Sequence, residues 1–202
     1  MGCFDFGYNI SMNILYTYQL NGNLAYLPRL FTHIQAISAQ MTTKPLLLDL
    51  GASCHSSLWH CDVTEGRSML IVLDAMGYHG ANIVNLLTTT SYLKLKDQVT
   101  LALVDENAPQ QIMNTTLAIK PIPVTNTSLK ICITPTDTTG WRDGWLHFGK
   151  IAGDEIGIVQ IDGDTIHHSI TKIPANTAPN PIISGVVDFV LAEARLYQNK
   201  KK

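Results

Sequence analysis

Apolar and polar positions alternate along Asn13–Gly22, with Ile14, Tyr16 and Tyr18 on one side and Leu15 and Thr17 on the other. β-Branched and aromatic residues in that pattern predict a strand, and Asn21-Gly22 predicts the turn that ends it. The period then changes. Leu24, Leu27, Leu30, Phe31, Ile34 and Ile37 recur three and four residues apart, which predicts a helix over Leu24–Ala39 whose regular part starts near Pro28. The unbroken apolar run Leu46–Leu50 predicts a buried parallel strand, ended by Gly51. Ser53–Asp62 reads as a polar loop, Thr64–Met76 as a second helix with Thr64 as N-cap and Glu65 in its first turn, and Ala81–Val84 as a third strand. Strands and helices in alternation imply parallel pairing through right-handed crossovers.

The second half has a different rhythm. Val99–Val104, Leu117–Val124 and Leu129–Ile133 read as strands, and Thr134–Gly149, rich in Thr, Gly and Trp, as a loop. Glu155–Ile161 and Thr165–Ile173 read as a hairpin around Asp162-Gly163-Asp164. Asn180-Pro181 opens a final helix through Tyr197, with Lys200–Lys202 just beyond it, where positive charge complements the helix dipole. The pattern is α/β, with residues 1–12 as an N-terminal extension, 13–199 as a single domain and 200–202 as a basic tail.

Composition narrows the function classes. A chain of 202 residues with 46% hydrophobic and 15% charged residues buries a sizeable core. A net charge of −2 gives no electrostatic case for nucleic acid or an anionic membrane surface. No apolar run approaches the roughly 20 residues of a membrane span. The opening residues lack a basic start and an apolar block, and Phe6 stands where an N-myristoylated Gly2 would want Ser or Thr. Without a secretory signal, the four cysteines Cys3, Cys54, Cys61 and Cys132 are expected to be reduced and the protein cytoplasmic.

Several of these segments resemble calcineurin-like metallophosphoesterases of the 5′-nucleotidase type. The opening strand and turn are similar to that family's first motif, a strand ending Asp-x-His-Gly; Leu27-Pro28-Arg29-Leu30 is similar to the helix that follows it. Leu46–Ala52 resembles the strand ending Asp-x-Gly-Asp, and Leu73–Tyr78 leading to Ile83-Val84-Asn85-Leu86-Leu87 resembles the approach to Gly-Asn-His-Glu. Gly149–Leu196 resembles the closing hairpin and helix more weakly, and the family's later Gly-His-x-His is missing. The resemblance implies a shortened metallophosphatase-like fold: two mixed sheets packed face to face with α-helices outside, and a pocket at the carboxyl ends of the first three strands. Carried over by position, Gln19 and Asn21 stand for the first metal-binding Asp and His, Ala52 for the bridging Asp, Asn85 for the motif Asn and Leu86 for the catalytic His. Two-metal hydrolysis needs a bridging carboxylate and anionic or imidazole ligands around each ion, and neutral amides and an alkyl group supply neither. The implied pocket, lined by Gln19, Asn21, Asp49, Ala52, Ser53, His55 and Asn85, is therefore a vestigial one without catalytic residues, and the expectation is a non-catalytic relative. Such a protein serves as a ligand-binding or assembly module for a small anionic ligand or a protein partner, as a homo-oligomer.

Other candidates remain open on the sequence. Cys54, His55, His60 and Cys61 form the densest set of metal-capable side chains; they read either as a zinc site or as a loop of buried thiols and surface imidazoles. Cys54 could equally be a nucleophile with His55, His60 or His79 as base, the alternative function being a hydrolase of altered chemistry. Asp49 either faces the pocket or accepts hydrogen bonds from turn amides. Trp141, Arg142, Asp143, Trp145 and His147 suit a ligand pocket, an oligomer interface or a core plug. His167 and His168 face opposite sides of their strand and read as ordinary strand residues.

Overall fold

The computed structural model describes residues 11–124 and 129–200. Most of the segment read as an N-terminal extension, with Gly2, Cys3 and Phe6, lies outside the described residues, as do Lys201 and Lys202 of the basic tail. The architecture is α/β, with two mixed sheets and five helices.

Strand β1 (Ser11–Thr17) is central to the larger sheet. It pairs in parallel with β2 (Leu46–Asp49), which pairs in parallel with β3 (Gly80–Asn82) and through it with β4 (Ala102–Val104). On its other side β1 runs antiparallel to β10 (Glu155–Asp162), whose hairpin partner β11 (Thr165–Lys172) forms the edge. The smaller sheet has the order β5-β6-β7-β9-β8, built from β5 (Gln110–Ile112), β6 (Thr115–Ala118), β7 (Leu129–Thr136), β8 (Gly140–Arg142) and β9 (Trp145–Gly149).

Both faces of the larger sheet are apolar because both are covered. Leu15, Leu47, Ala81 and Ile156 meet the helices α1 (Leu27–Ser38), α2 (Trp59–Thr64), α3 (Arg67–Ala75), α4 (Thr89–Leu95) and α5 (Pro181–Lys200). Ile14, Tyr16, Leu48 and Val159 meet Ile131, Leu146 and Phe148 of the smaller sheet. No helical residue enters that second cluster, so the helices lie on one side of the sandwich, which corrects the expectation of helices flanking both sheets. The far face of the smaller sheet carries Ala118, Cys132 and Trp145, and Ile122 and Val124 of the segment after β6 pack over them. Tyr16 and Gly157 face each other in the β1–β10 register, and the Tyr16 ring lies on Gly157 so closely that a Cβ there would sit 2.1 Å from it.

Three further sequence expectations are corrected by the geometry. The helix read over Thr64–Met76 is two helices. Thr64 ends α2 instead of capping a helix, and Glu65 and Gly66 take left-handed φ of 50° and 81° between α2 and α3. The loop read over Thr134–Gly149 contains the β8–β9 hairpin, closed by Asp143 and Gly144 at φ 50° and 77°, the backbone a two-residue hairpin turn requires. Strand β1 begins at Ser11, inside the segment read as an extension. Among the described residues no helix is long and apolar enough to cross a membrane.

Candidate functional site

The tips of β1 and β2 bring the carried-over positions Gln19, Asn21 and Ala52 together, while Asn85 lines a separate shallow groove with Thr88, Tyr92 and Asp105. Beyond the strand ends the backbone keeps pairing: Leu50 N–H donates to Thr17 O at 2.8 Å, Gln19 N–H to Gly51 O at 3.1 Å, Asn21 N–H to Ala52 O at 3.0 Å and Gly22 N–H to Ser53 O at 2.6 Å. The loops after β1 and β2 therefore run as one ribbon. Gln19, Asn21, Ala52 and Asn85 all have left-handed φ, of 58°, 50°, 53° and 59°. That conformation is uncommon for side chains other than Gly, Asn and Asp, and at Ala52 no local hydrogen bond from the side chain offsets it. These four residues and His55 are exposed.

Asp49 and Ser53 are not part of that exposed rim. Both are 0% exposed. Asp49 follows Leu47 by two positions and so points to the helix side of the sheet, beneath the loops. Its carboxylate accepts hydrogen bonds from the Ser53 hydroxyl, from Thr17 Oγ1 at 3.2 Å and from Gly51 N–H at 3.2 Å. The Thr17 hydroxyl in turn accepts from Tyr78 Oη at 3.2 Å. Burial pushes the Asp49 carboxyl up to about 7, against the lowering effect of its Ser53, Thr17 and Gly51 donors. Burial also raises the Tyr78 phenol. Of the two sequence readings of Asp49, the hydrogen-bonded turn carboxylate is the one the geometry supports. Thr17 and Tyr78 were absent from the sequence reading of the site; the one signal was a Thr and a carboxylate at matching ends of neighbouring strands.

Asn82 is a second residue the sequence reading missed. Its Nδ2 donates to Leu50 O at 3.1 Å and Ile133 O at 3.3 Å, and its Oδ1 accepts from Val84 N–H at 3.0 Å, so one amide ties two strands of the larger sheet to the smaller one. An Asn at the end of an otherwise apolar strand was its only mark in the sequence.

The Cys/His loop is reorganised relative to expectation. Cys54 and Cys61 form a disulfide, which corrects the expectation of reduced thiols for these two, while Cys132 is free and buried. The turn into α2 is what brings these residues, seven apart, face to face. His60 lies beside them, and the candidate ligand atoms of Cys54, His60 and Cys61 are all within 4.8 Å of one another. His55 does not join them; its Nδ1 is paired with the Ser57 hydroxyl at 2.7 Å. His60 Nε2–H donates to Gly22 O at 3.0 Å, which fixes the tautomer and leaves Nδ1 to accept from Ser68 Oγ at 3.0 Å. With its sulfurs bonded to each other and its imidazole engaged at both nitrogens, the cluster as folded offers no zinc ligand set and no thiolate nucleophile. It is instead the clamp that docks α2 on the Asn21-Gly22 turn, where a Cβ on Gly22 would lie 2.4 Å from Leu58 and 2.9 Å from Cys61 Sγ.

The remaining candidates separate. Trp145 and His147 are buried in β9 while Trp141, Arg142 and Asp143 are exposed, so only the β9 half of the hairpin serves as a plug. His147 Nδ1 has no hydrogen-bond partner among the described residues, and burial lowers its pKa. His168 is no ordinary strand residue: its Nε2 lies 2.9 Å from Tyr16 Oη, which donates to Gly149 O at 3.0 Å. A shallow groove between α2, α4 and the end of α5 gathers Arg67, Lys94 and Lys200 around Glu65. Arg67 lies 5.2 Å over the Tyr197 ring, and Glu65 accepts from Thr88 Oγ1 and Ser91 Oγ. No protein-family model matches the chain, and no curated protein matches it.

Proposed function

We propose that this protein is a non-catalytic member of the metallophosphatase-like proteins, acting as a ligand-binding or assembly module. The observation that carries the reading is the inversion at the strand tips. The carboxylate nearest them, Asp49, is turned under the loops with its oxygens taken by Ser53, Thr17 and Gly51, while the exposed positions are amide, alkyl and a lone imidazole. Those residues do not fit a dinuclear metal centre, which requires charged oxygens facing the substrate side. Parallel strands with left-handed turns at four of the five carried-over positions, Leu86 being the exception, support the family reading. The test is hydrolysis of an aryl phosphate and of nucleoside monophosphates with added manganese or zinc. No turnover above buffer is expected; robust, chelator-sensitive hydrolysis refutes the proposal.

A small anionic ligand is favoured by a separate observation, the three cations lining the groove beside Glu65. Titration with inorganic phosphate and a nucleoside monophosphate is expected to show binding that the Lys94→Ala variant weakens; undiminished binding in that variant sinks this part of the reading. The Cys54–Cys61 disulfide also bears on location. The expectation of a cytoplasmic protein rested partly on unpaired thiols, and a disulfide suits an oxidising compartment better.

A further inference from the structure

The last helix carries two apolar faces, and only one is used. Ile183, Val187, Val190 and Ala194 are buried against the body of the protein. On the opposite side Ile182, Phe189 and Leu196 stand 74%, 63% and 64% exposed. They recur every seven residues, and Gly185 and Ala192, both exposed, fall between them at the alternate three- and four-residue steps. This is the heptad pattern of a coiled-coil seam, with bulky residues at one core position and small ones at the other. A glycine inside a helix costs stability relative to alanine, and Gly185 has nothing within 4 Å of where a Cβ would stand. The helix alone gives no reason for it.

We propose that the occupant of this face is α5 of a second copy, packed antiparallel about a two-fold axis. Two independent features select that partner. The first is size. In the antiparallel register that places Phe189 opposite Ala192 of the second copy, Leu196 falls opposite Gly185 of the second copy, so both central knobs meet a gap, and Ile182 falls at the end of the seam opposite Asn199. A parallel pair would stack Phe189 on Phe189 and leave voids at Gly185 and Ala192. The second feature is charge. Asp188 and Arg195 flank the same edge of the seam, and among the described residues neither belongs to an ion pair within the chain. In the register set by size, Asp188 meets Arg195 of the second copy, twice by symmetry. Sliding by one heptad in either direction sets Asp188 against Asp188 or Arg195 against Arg195. A parallel pair sets Asp188 against Glu193 and Arg195 against Lys200, which repel. The sequence of this face therefore specifies partner, direction and register together.

A 20-residue helix is about 30 Å long, and a pair of that length is a small interface, so a weak dimer is expected. The inference deepens the assembly half of the reading above, and its readout does not involve phosphate chemistry, so either can fail alone. The experiment is sedimentation velocity on the full chain from about 1 μM to about 1 mM, a range that spans weak association. Wild type is expected to move from monomer to dimer. Phe189→Asp is expected to weaken association about 30-fold or more, with an unchanged thermal unfolding curve because the side chain is exposed. Asp188→Arg is expected to weaken it about 10-fold, and Asp188→Arg combined with Arg195→Asp to restore it. A wild type that stays monomeric throughout overturns the proposal. So does a dimer that Asp188→Arg leaves unchanged, or one that it strengthens, since a parallel pair would gain an attraction to Glu193. The charge variants keep the test decisive even where Phe189→Asp fails to fold.

Discussion

The tips of the larger sheet and the interior of the smaller one bury polar groups under opposite terms. At the tips Asp49, Thr17, Ser53, Tyr78, Asn82 and His60 are each hydrogen-bonded, and backbone, carboxylate and disulfide all hold the same pair of loops. In the smaller sheet Thr115 Oγ1 and His147 Nδ1 are buried with no partner among the described residues. A satisfied polar network specifies one arrangement, whereas an unpartnered group only subtracts stability. The difference marks the tips as the part of the molecule whose geometry is fixed by its own polar bonding, whereas Thr115 and His147 of the smaller sheet sit in apolar packing that does not bond them.

The largest effect that can break this comparison is the ionisation of Asp49. Its folded pKa lies above the ordinary carboxylate range, at about 7, so the native state holds its proton where the unfolded state has lost it. Stability from this group is then greatest below the ordinary carboxylate range and falls as pH rises from there to about 7, by up to about 4 kcal/mol at 1.36 kcal/mol per unit. The histidines pull the other way: burial lowers His33, His60, His79, His147 and His168, so each favours folding more as pH rises toward the ordinary histidine value. Urea unfolding of wild type and Asp49→Asn at pH 5 and pH 7.5 separates the two. The variant is expected to lose much less stability than wild type across that interval. Equal losses would mean that Asp49 is not buried as a proton carrier.

Opening the clamp is next in size. A disulfide spanning a separation of 7 residues stabilises by about 2.5 kcal/mol in the chain-entropy account. Cys54→Ser with Cys61→Ser, or wild type under reductant, is expected to melt several degrees lower. If the two treatments leave the melting temperature untouched, the loop is held by His60 and Gly22 alone. The smallest effect is also the sharpest contrast. Thr17→Val removes bonds to Asp49 and Tyr78 and is expected to cost about 1–2 kcal/mol, whereas Thr115→Val removes an unpartnered hydroxyl and is expected to be neutral or to stabilise by up to about 1 kcal/mol. Chemical denaturation of the pair reads the difference; two equal losses would erase the distinction between the sheets.

The same contrast governs what could be read from the chain. The parallel strands and α1 were legible because their apolar residues are consecutive or recur at helical spacing, and the Asp162-Gly163 turn announced the β10–β11 hairpin. The Asp143-Gly144 turn carries the same signal, but a surrounding run of Thr and Gly read as loop and hid β8 and β9. The break at Glu65-Gly66 was masked by apolar residues that keep helical spacing through α3. At the site, positions at the strand tips could be placed from motif spacing, yet which way Asp49 faces depends on strand register, and the pairing of Cys54 with Cys61 depends on a turn geometry that spacing does not encode.

Tyr16 has a consequence for motion. Its phenol joins the carboxyl end of β9 in the smaller sheet to His168 on the edge strand of the larger one, while its ring fills the space that Gly157 leaves empty. Sliding one sheet over the other would break the bond to Gly149 and pull the Tyr16 ring off Phe148, so shear between the layers is resisted at this point. A change of shape that keeps this bond leaves the two sheets as one slab and moves the helices on it.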